Sequence, residues 1–193
     1  MQIIHDFLTV NEYSRPGRKL KEVLGVVVHW TANPSANAKE NRDFFENKKT
    51  GCGGYASAHY IIDQNGLIVA AVPEYEVAYH TGSSLRDPKS GKVYTDEARR
   101  LFGKYASESS SPNNCTIGVE LCPKDCEGNF TDATINSAIN LCADILTRYG
   151  LVADTLITHH DVVGWKDCPK LWTEKPALFE AFKLSVAEKI LRG

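Results

Sequence analysis

Residues 158–172, THHDVVGWKDCPKLW, put two adjacent histidines, two aspartates, lysine and a cysteine into one short stretch. Imidazole nitrogen and thiolate sulfur are the donors that zinc prefers, and a catalytic zinc site takes three of them and keeps its fourth position open. Cys168 and either His159 or His160 lie nine or eight residues apart, close enough for one loop to fold both onto the same ion. His29, at the end of the run VVVHW, is the candidate third donor. Taken singly, each piece has a plainer reading: a strand-end histidine hydrogen-bonded in a core, or a small buried thiol before a proline.

The elements that must carry these groups follow from pattern. VLGVVVHW (23–30) is a β-branched run and predicts a buried strand with His29 at its end. Ser35 is placed to cap a helix running through Lys48. AHYIID and GLIVAAV, separated by Gln64, Asn65 and Gly66, predict a β-hairpin. The polar segment 78–114 predicts a loop with one short helix over 95–102, and CTIGVEL (115–121) predicts another strand. In TDATINSAINLCADILTRYG (131–150), Ile135, Ala138, Ile139, Cys142, Ile145, Leu146 and Tyr149 fall at helical spacing, with Thr131 as cap and Gly150 as stop. Cys142 on that stripe reads as a packed thiol rather than a ligand. A last helix is expected over 174–191, with Leu178, Phe182, Val186 and Ile190 on one face.

A chain of 193 residues, 42% of them hydrophobic, suits one domain with a sizeable core. No repeat, low-complexity tract or linker divides it, so 1–193 reads as a single α/β domain. The formal net charge is −2, and the basic residues are scattered, which argues against nucleic acid and anionic membrane surfaces as partners. No segment approaches the roughly 18 apolar residues that span a bilayer. The N-terminal stretch has its apolar run broken by His5 and Asp6, with its charges after that run, and does not read as a signal peptide. The expectation is a protein made in the cytoplasm, where its six cysteines stay reduced unless they bind metal. Cys115, Cys122 and Cys126 form a rival cluster, but no second close pair completes a four-ligand site.

The segments GVVVHWTA, SAHYIID, AYHTG, TIGVEL and HHDVVGWKDCP, in this order, resemble the zinc-dependent N-acetylmuramoyl-L-alanine amidases of phage endolysins and bacterial autolysins, a superfamily shared with the peptidoglycan-recognition proteins. The resemblance runs from about Asn11 to Trp172. It implies a mixed central β-sheet with helices packed on its faces, one catalytic zinc ion, and cleavage of the amide between N-acetylmuramic acid and L-alanine of peptidoglycan. It makes His29 the first zinc ligand and Cys168 the third. The family's middle ligand sits two places before an acidic residue, which selects His159; relatives also place it eight residues before the cysteine, which selects His160. The reading adopts His159 and treats Trp165 as an added loop residue.

By the same resemblance, Glu120 in IGVEL is the carboxylate beside the zinc that takes the proton of the attacking water. Lys166 is the lysine that stabilises the oxyanion. His80 in AYHTG is a substrate-binding histidine on the rim of the groove. His59 is structural, and Asp161 either orients a histidine ligand or caps the loop. Some relatives carry a catalytic tyrosine where this chain has Ala58, so Glu120 is expected to serve alone. With no signal peptide read at the N-terminus, such an enzyme is expected to reach the wall after phage or cell lysis. Many such enzymes attach a second, wall-binding domain, for which 193 residues leave no room, so either the catalytic domain acts alone or the chain is a piece of a longer protein. The alternative is a non-catalytic peptidoglycan-recognition module, against which Cys168, Glu120 and Lys166 argue. The oligomeric state stays open.

Overall fold

A computed structural model describes residues 2–193. The β-branched runs form six strands: β1 (Ile3–His5), β2 (Gly25–Trp30), β3 (Tyr60–Ile62), β4 (Ile68–Ala70), β5 (Thr116–Leu121) and β6 (Leu156–Thr158). They make one sheet in the order β1-β4-β3-β5-β2-β6. Only the β3–β4 pair is antiparallel. It is the expected hairpin, its turn closed by Gly66 N–H donating to Asp63 O at 3.0 Å. Gly66 has φ +80°, a left-handed conformation that suits glycine at this turn.

Six helices follow: α1 (Ala38–Asn47), α2 (Asp96–Phe102), α3 (Asp132–Arg148), α4 (His159–Val163), α5 (Lys170–Glu174) and α6 (Pro176–Arg192). α3 and α6 cover one face of the sheet. Leu141, Ile145, Phe182 and Val186 pack there against Val26, Val28, Ile117 and Val119. Cys142 is fully buried in this cluster, as its place on the apolar stripe predicts. On the other face, Phe45 of α1 packs with Ile61 and Val69, and Phe102 of α2 packs with Val27 and Ile157. Strand alternation sends successive side chains to opposite faces, so His29 emerges on the α1/α2 side with Val27.

Several boundaries differ from the sequence reading. Asn37, not Ser35, caps α1, because Asn37 and Glu40 make a reciprocal capping box: Glu40 N–H donates to Asn37 Oδ1 (3.0 Å) and Asn37 N–H to Glu40 Oε2 (2.8 Å). The last helix starts at Pro176 rather than Glu174, and a separate short helix, α5, precedes it. Pro176 lacks an N–H, and Lys175 before it leaves the helical region (φ −131°, ψ 73°), which separates α5 from α6. In α6, Phe179 enters the core at 5% exposure, while Leu178, expected on the buried face, lies outside at 43%. β1 and β6 were not anticipated. Both are three-residue strands like β3 and β4, but each pairs in parallel with a distant strand and has no hairpin turn beside it to mark it.

Candidate active site

β2 and β5 pair in parallel with His29 opposite Glu120, so these two side chains leave the same face of the sheet side by side. β6 pairs with β2 and stops at Thr158, delivering His159 as the first residue of α4. Thr158 and Asp161 close that turn with a capping box: Asp161 N–H donates to Thr158 Oγ1 (3.1 Å), and Thr158 N–H to Asp161 Oδ2 (2.8 Å). Of the two roles open to Asp161, the structure places it as the cap. The chain then loops back so that Cys168 O accepts from His160 N–H at 2.9 Å, which brings the cysteine beside the start of α4.

Three donors converge as a result. His29 Nδ1 is 3.1 Å from His159 Nδ1 and 3.8 Å from Cys168 Sγ, and the three donor atoms all lie within 4.8 Å of one another. Among the described residues this is the one group of three histidine, cysteine or acidic side chains arranged to hold a metal ion. The structure turns His159 inward. His160 lies on the opposite side of the turn, half-buried, its Nδ1 donating to Lys166 O at 3.1 Å and bracing the loop. The rival thiols do not gather: Cys122 is buried and Cys126 exposed.

Burial sets the protonation states. It holds His29 and His80 well below the ordinary histidine value, with neighbouring imidazoles adding to the effect. It pushes His159 down to about 3, helped by the Lys166 charge. All three rings are neutral at pH 7, with a lone pair available on each. Burial pushes the Cys168 thiol up to about 12, with the Glu120 charge acting in the same direction, so this thiol ionises readily only with a cation beside it to stabilise the thiolate. Glu120 is raised to about 7 by burial, against the opposing pull of Lys166. Its Oε2 is buried with no hydrogen-bond partner. Lys166 itself is exposed on the lip of the site.

These groups open into a cleft of about 670 Å³ lined also by Glu12, Trp30, Tyr55, Tyr79, Ser83 and Asn113. Trp165 donates from Nε1 to Oγ of the lining residue Ser83 at 2.9 Å.

His80 is placed differently from the sequence reading, which put it on the rim. It lines the cleft but is only 7% exposed, with Nδ1 3.0 Å from His29 Nε2 and Nε2 3.4 Å from Thr116 O. Asn113 Oδ1 accepts from the His80 and Thr81 backbone N–H groups at 2.9 and 2.7 Å, which holds this segment turned inward. Gly118 makes the space: a Cβ there would lie 2.6 Å from His80 Cγ. Thr116 and Gly118 were not singled out in the sequence, yet a signal exists. They precede Glu120 by four and two residues and so share its face of the strand. Asn113 carries no comparable local signal. His59 is structural as expected, its Nδ1 accepting from Gly118 N–H and its Nε2 donating to Glu76 O, both at 2.9 Å. Ala58 is fully buried beneath α1.

Comparison with known proteins agrees with this architecture. A Bacillus licheniformis protein described as "Probable N-acetylmuramoyl-L-alanine amidase" is 34% identical over 186 residues, 96% of this chain and 47% of its own length. The N-acetylmuramoyl-L-alanine amidases CwlL of Bacillus licheniformis and BlyA of Bacillus subtilis (strain 168) are each 32% identical over 187 residues, again 96% of this chain and 47% of theirs. The chain thus spans about half the length of the curated relatives it matches. The fold is that of the catalytic domain of XlyA (TM-score 0.69, 22% identity, 96% of this chain and 99% of that one). It is also that of the PlyG catalytic domain (TM-score 0.72, 17% identity, 98% and 96%). The pattern of the N-acetylmuramoyl-L-alanine amidase family, Amidase_2, matches residues 19–171, and with relatives above 30% identity along nearly its whole length the chain belongs to that family.

Proposed function

We propose that this chain is the catalytic domain of a zinc-dependent peptidoglycan hydrolase that cleaves the amide between N-acetylmuramic acid and the L-alanine of the stem peptide. The observation that carries the reading is the convergence of His29, His159 and Cys168 beside a buried glutamate oxygen with no partner. Two imidazoles and a thiolate match a catalytic zinc shell. Bonds of about 2.0–2.3 Å would put tetrahedral ligand pairs about 3.3–3.6 Å apart; two of the three donor pairs lie at 3.1 and 3.8 Å, and the third within 4.8 Å. When bound, zinc supplies Lewis acidity, polarising the scissile carbonyl and making water acidic enough to attack near neutral pH.

The chain's own groups supply the rest. Glu120, in register with His29, accepts the proton of the attacking water at its unpartnered carboxylate oxygen and delivers it to the leaving amine. A carboxyl raised to about 7 suits a group that must both take and give a proton. The Lys166 ammonium offsets the charge that develops on the carbonyl oxygen. The cleft between Tyr55, Tyr79 and Ser83 holds the glycan and stem. Peptidoglycan is the partner in this reading, and the site of action is the cell wall, reached after lysis. No described helix is long and apolar enough to cross a membrane. A recognition module without catalysis would need neither the thiol nor the buried glutamate.

The test is incubation of the purified protein with peptidoglycan sacculi, assaying for newly freed L-alanine amino groups. Release of reducing sugars without free amines would overturn the amidase reading, and absence of zinc by elemental analysis would overturn the metal.

A further inference from the structure

Proton positions can be assigned along one chain of contacts that ends at the cation site. Thr116 Oγ1 lies 2.7 Å from Pro112 O, and a carbonyl only accepts, so the hydroxyl proton points there. The Thr116 carbonyl is likewise only an acceptor. His80 Nε2 faces these two Thr116 oxygens at 3.3 and 3.4 Å, and both contacts are hydrogen bonds only if Nε2 carries the proton. A neutral imidazole protonated at Nε2 has a bare Nδ1. That bare Nδ1 is 3.0 Å from His29 Nε2, which must therefore donate. With its proton on Nε2, His29 has a bare Nδ1, the atom 3.1 Å from His159 Nδ1 and 3.8 Å from Cys168 Sγ.

We propose that His80 is a positioning residue, which together with Thr116 locks His29 in the tautomer whose Nδ1 lone pair faces the metal. This rests on the zinc reading above and changes the part His80 plays in it, from a substrate contact to a support for a ligand. The surroundings are built for it. Asn113 pins the His80 backbone, and the missing side chain of Gly118 lets the ring lie against β5. His159 has no such support, its Nε2 being buried without a partner, so among the described residues the tautomer relay serves His29. Partners of this kind raise ligand basicity and orient the ring, and their removal typically lowers metal affinity about 10- to 100-fold.

The test compares wild type, His80→Phe and His80→Gln by zinc affinity in chelator competition, with folding checked by thermal unfolding. It adds long-range 15N–1H spectra of the zinc-free protein, which report each histidine tautomer. His80→Phe should weaken zinc binding about 10- to 100-fold and release His29 from the Nε2–H form. His80→Gln offers a carbonyl to His29 and an amide N–H to Thr116, and should recover most of the affinity. A folded His80→Phe variant with wild-type zinc affinity overturns the proposal while leaving the zinc reading in place. Wild-type protein that binds no zinc overturns the zinc reading instead, and the zinc-free spectra still decide the tautomer. A wild-type spectrum with His29 in the Nδ1–H form overturns the proposal whether or not either variant folds.

Discussion

Replacing Glu120 by glutamine should destroy activity and stabilise the zinc-free protein at the same time. The Glu120 carboxyl titrates at about 7 in the fold, against an ordinary 4.5, chiefly because burial penalises its charge. A folded-state value above the unfolded one means that the folded state keeps a proton the unfolded chain has released. Stability is therefore unaffected below pH 4.5, falls as pH rises from 4.5 to 7, and stays low above 7. At about 1.36 kcal/mol per pH unit, the ionised carboxylate costs the fold on the order of 3 kcal/mol at pH 8, and under about 1 kcal/mol at pH 5. Glutamine carries no charge and removes that cost. For a domain of this size 1 kcal/mol moves the midpoint by about 2–4 °C, so Glu120→Gln should raise Tm by up to roughly 10 °C at pH 8 in chelator and by little at pH 5. Its kcat should fall about 10²- to 10⁴-fold, the usual contribution of a general base, with zinc content unchanged. Thermal unfolding at the two pH values and a sacculus assay read both arms. An equal Tm gain at both pH values would refute the buried-charge argument, and retained turnover would refute the catalytic role.

Elemental analysis should find zinc retained in His160→Ala and lost in His159→Ala and Cys168→Ser, because only the latter two remove donors that face His29. Gly118→Ala, whose Cβ would meet the confined His80 ring at 2.6 Å, should cost about 1–3 kcal/mol as overpacking, measured by denaturant unfolding. Glu46 is held down to about 2, burial opposing and hydrogen bonds from Lys49 and Thr9 prevailing. Its contribution should be present above pH 4.5 and lost as pH falls toward 2, so Glu46→Gln should flatten the acid limb of a stability–pH curve.

Much of the fold was legible because its signals are local. The β-branched run into His29, the Gln64–Gly66 turn and the helical stripe around Cys142 are each signals carried by neighbouring residues. The pieces whose order comes from distant partners were not. β1 and β6 span three residues each and gain their order from pairing with β4 and β2. The α5/α6 break depended on how Pro176 reset the helix, and packing buries Phe179 rather than Leu178.

At the site, residue type and order supplied candidate metal donors, two nitrogens and a sulfur, and the family resemblance implied the roles expected of Glu120 and Lys166. Only the tertiary structure decided which groups meet. The β2–β5 register sets Glu120 beside His29. The Thr158–Asp161 cap turns His159 inward and leaves His160 outside. Asn113, Thr116 and Gly118 draw His80 off the rim and under His29. These outcomes depend on strand pairings and buried hydrogen bonds between residues far apart in the chain, and a local pattern carries no information about which distant acceptor a ring nitrogen will face.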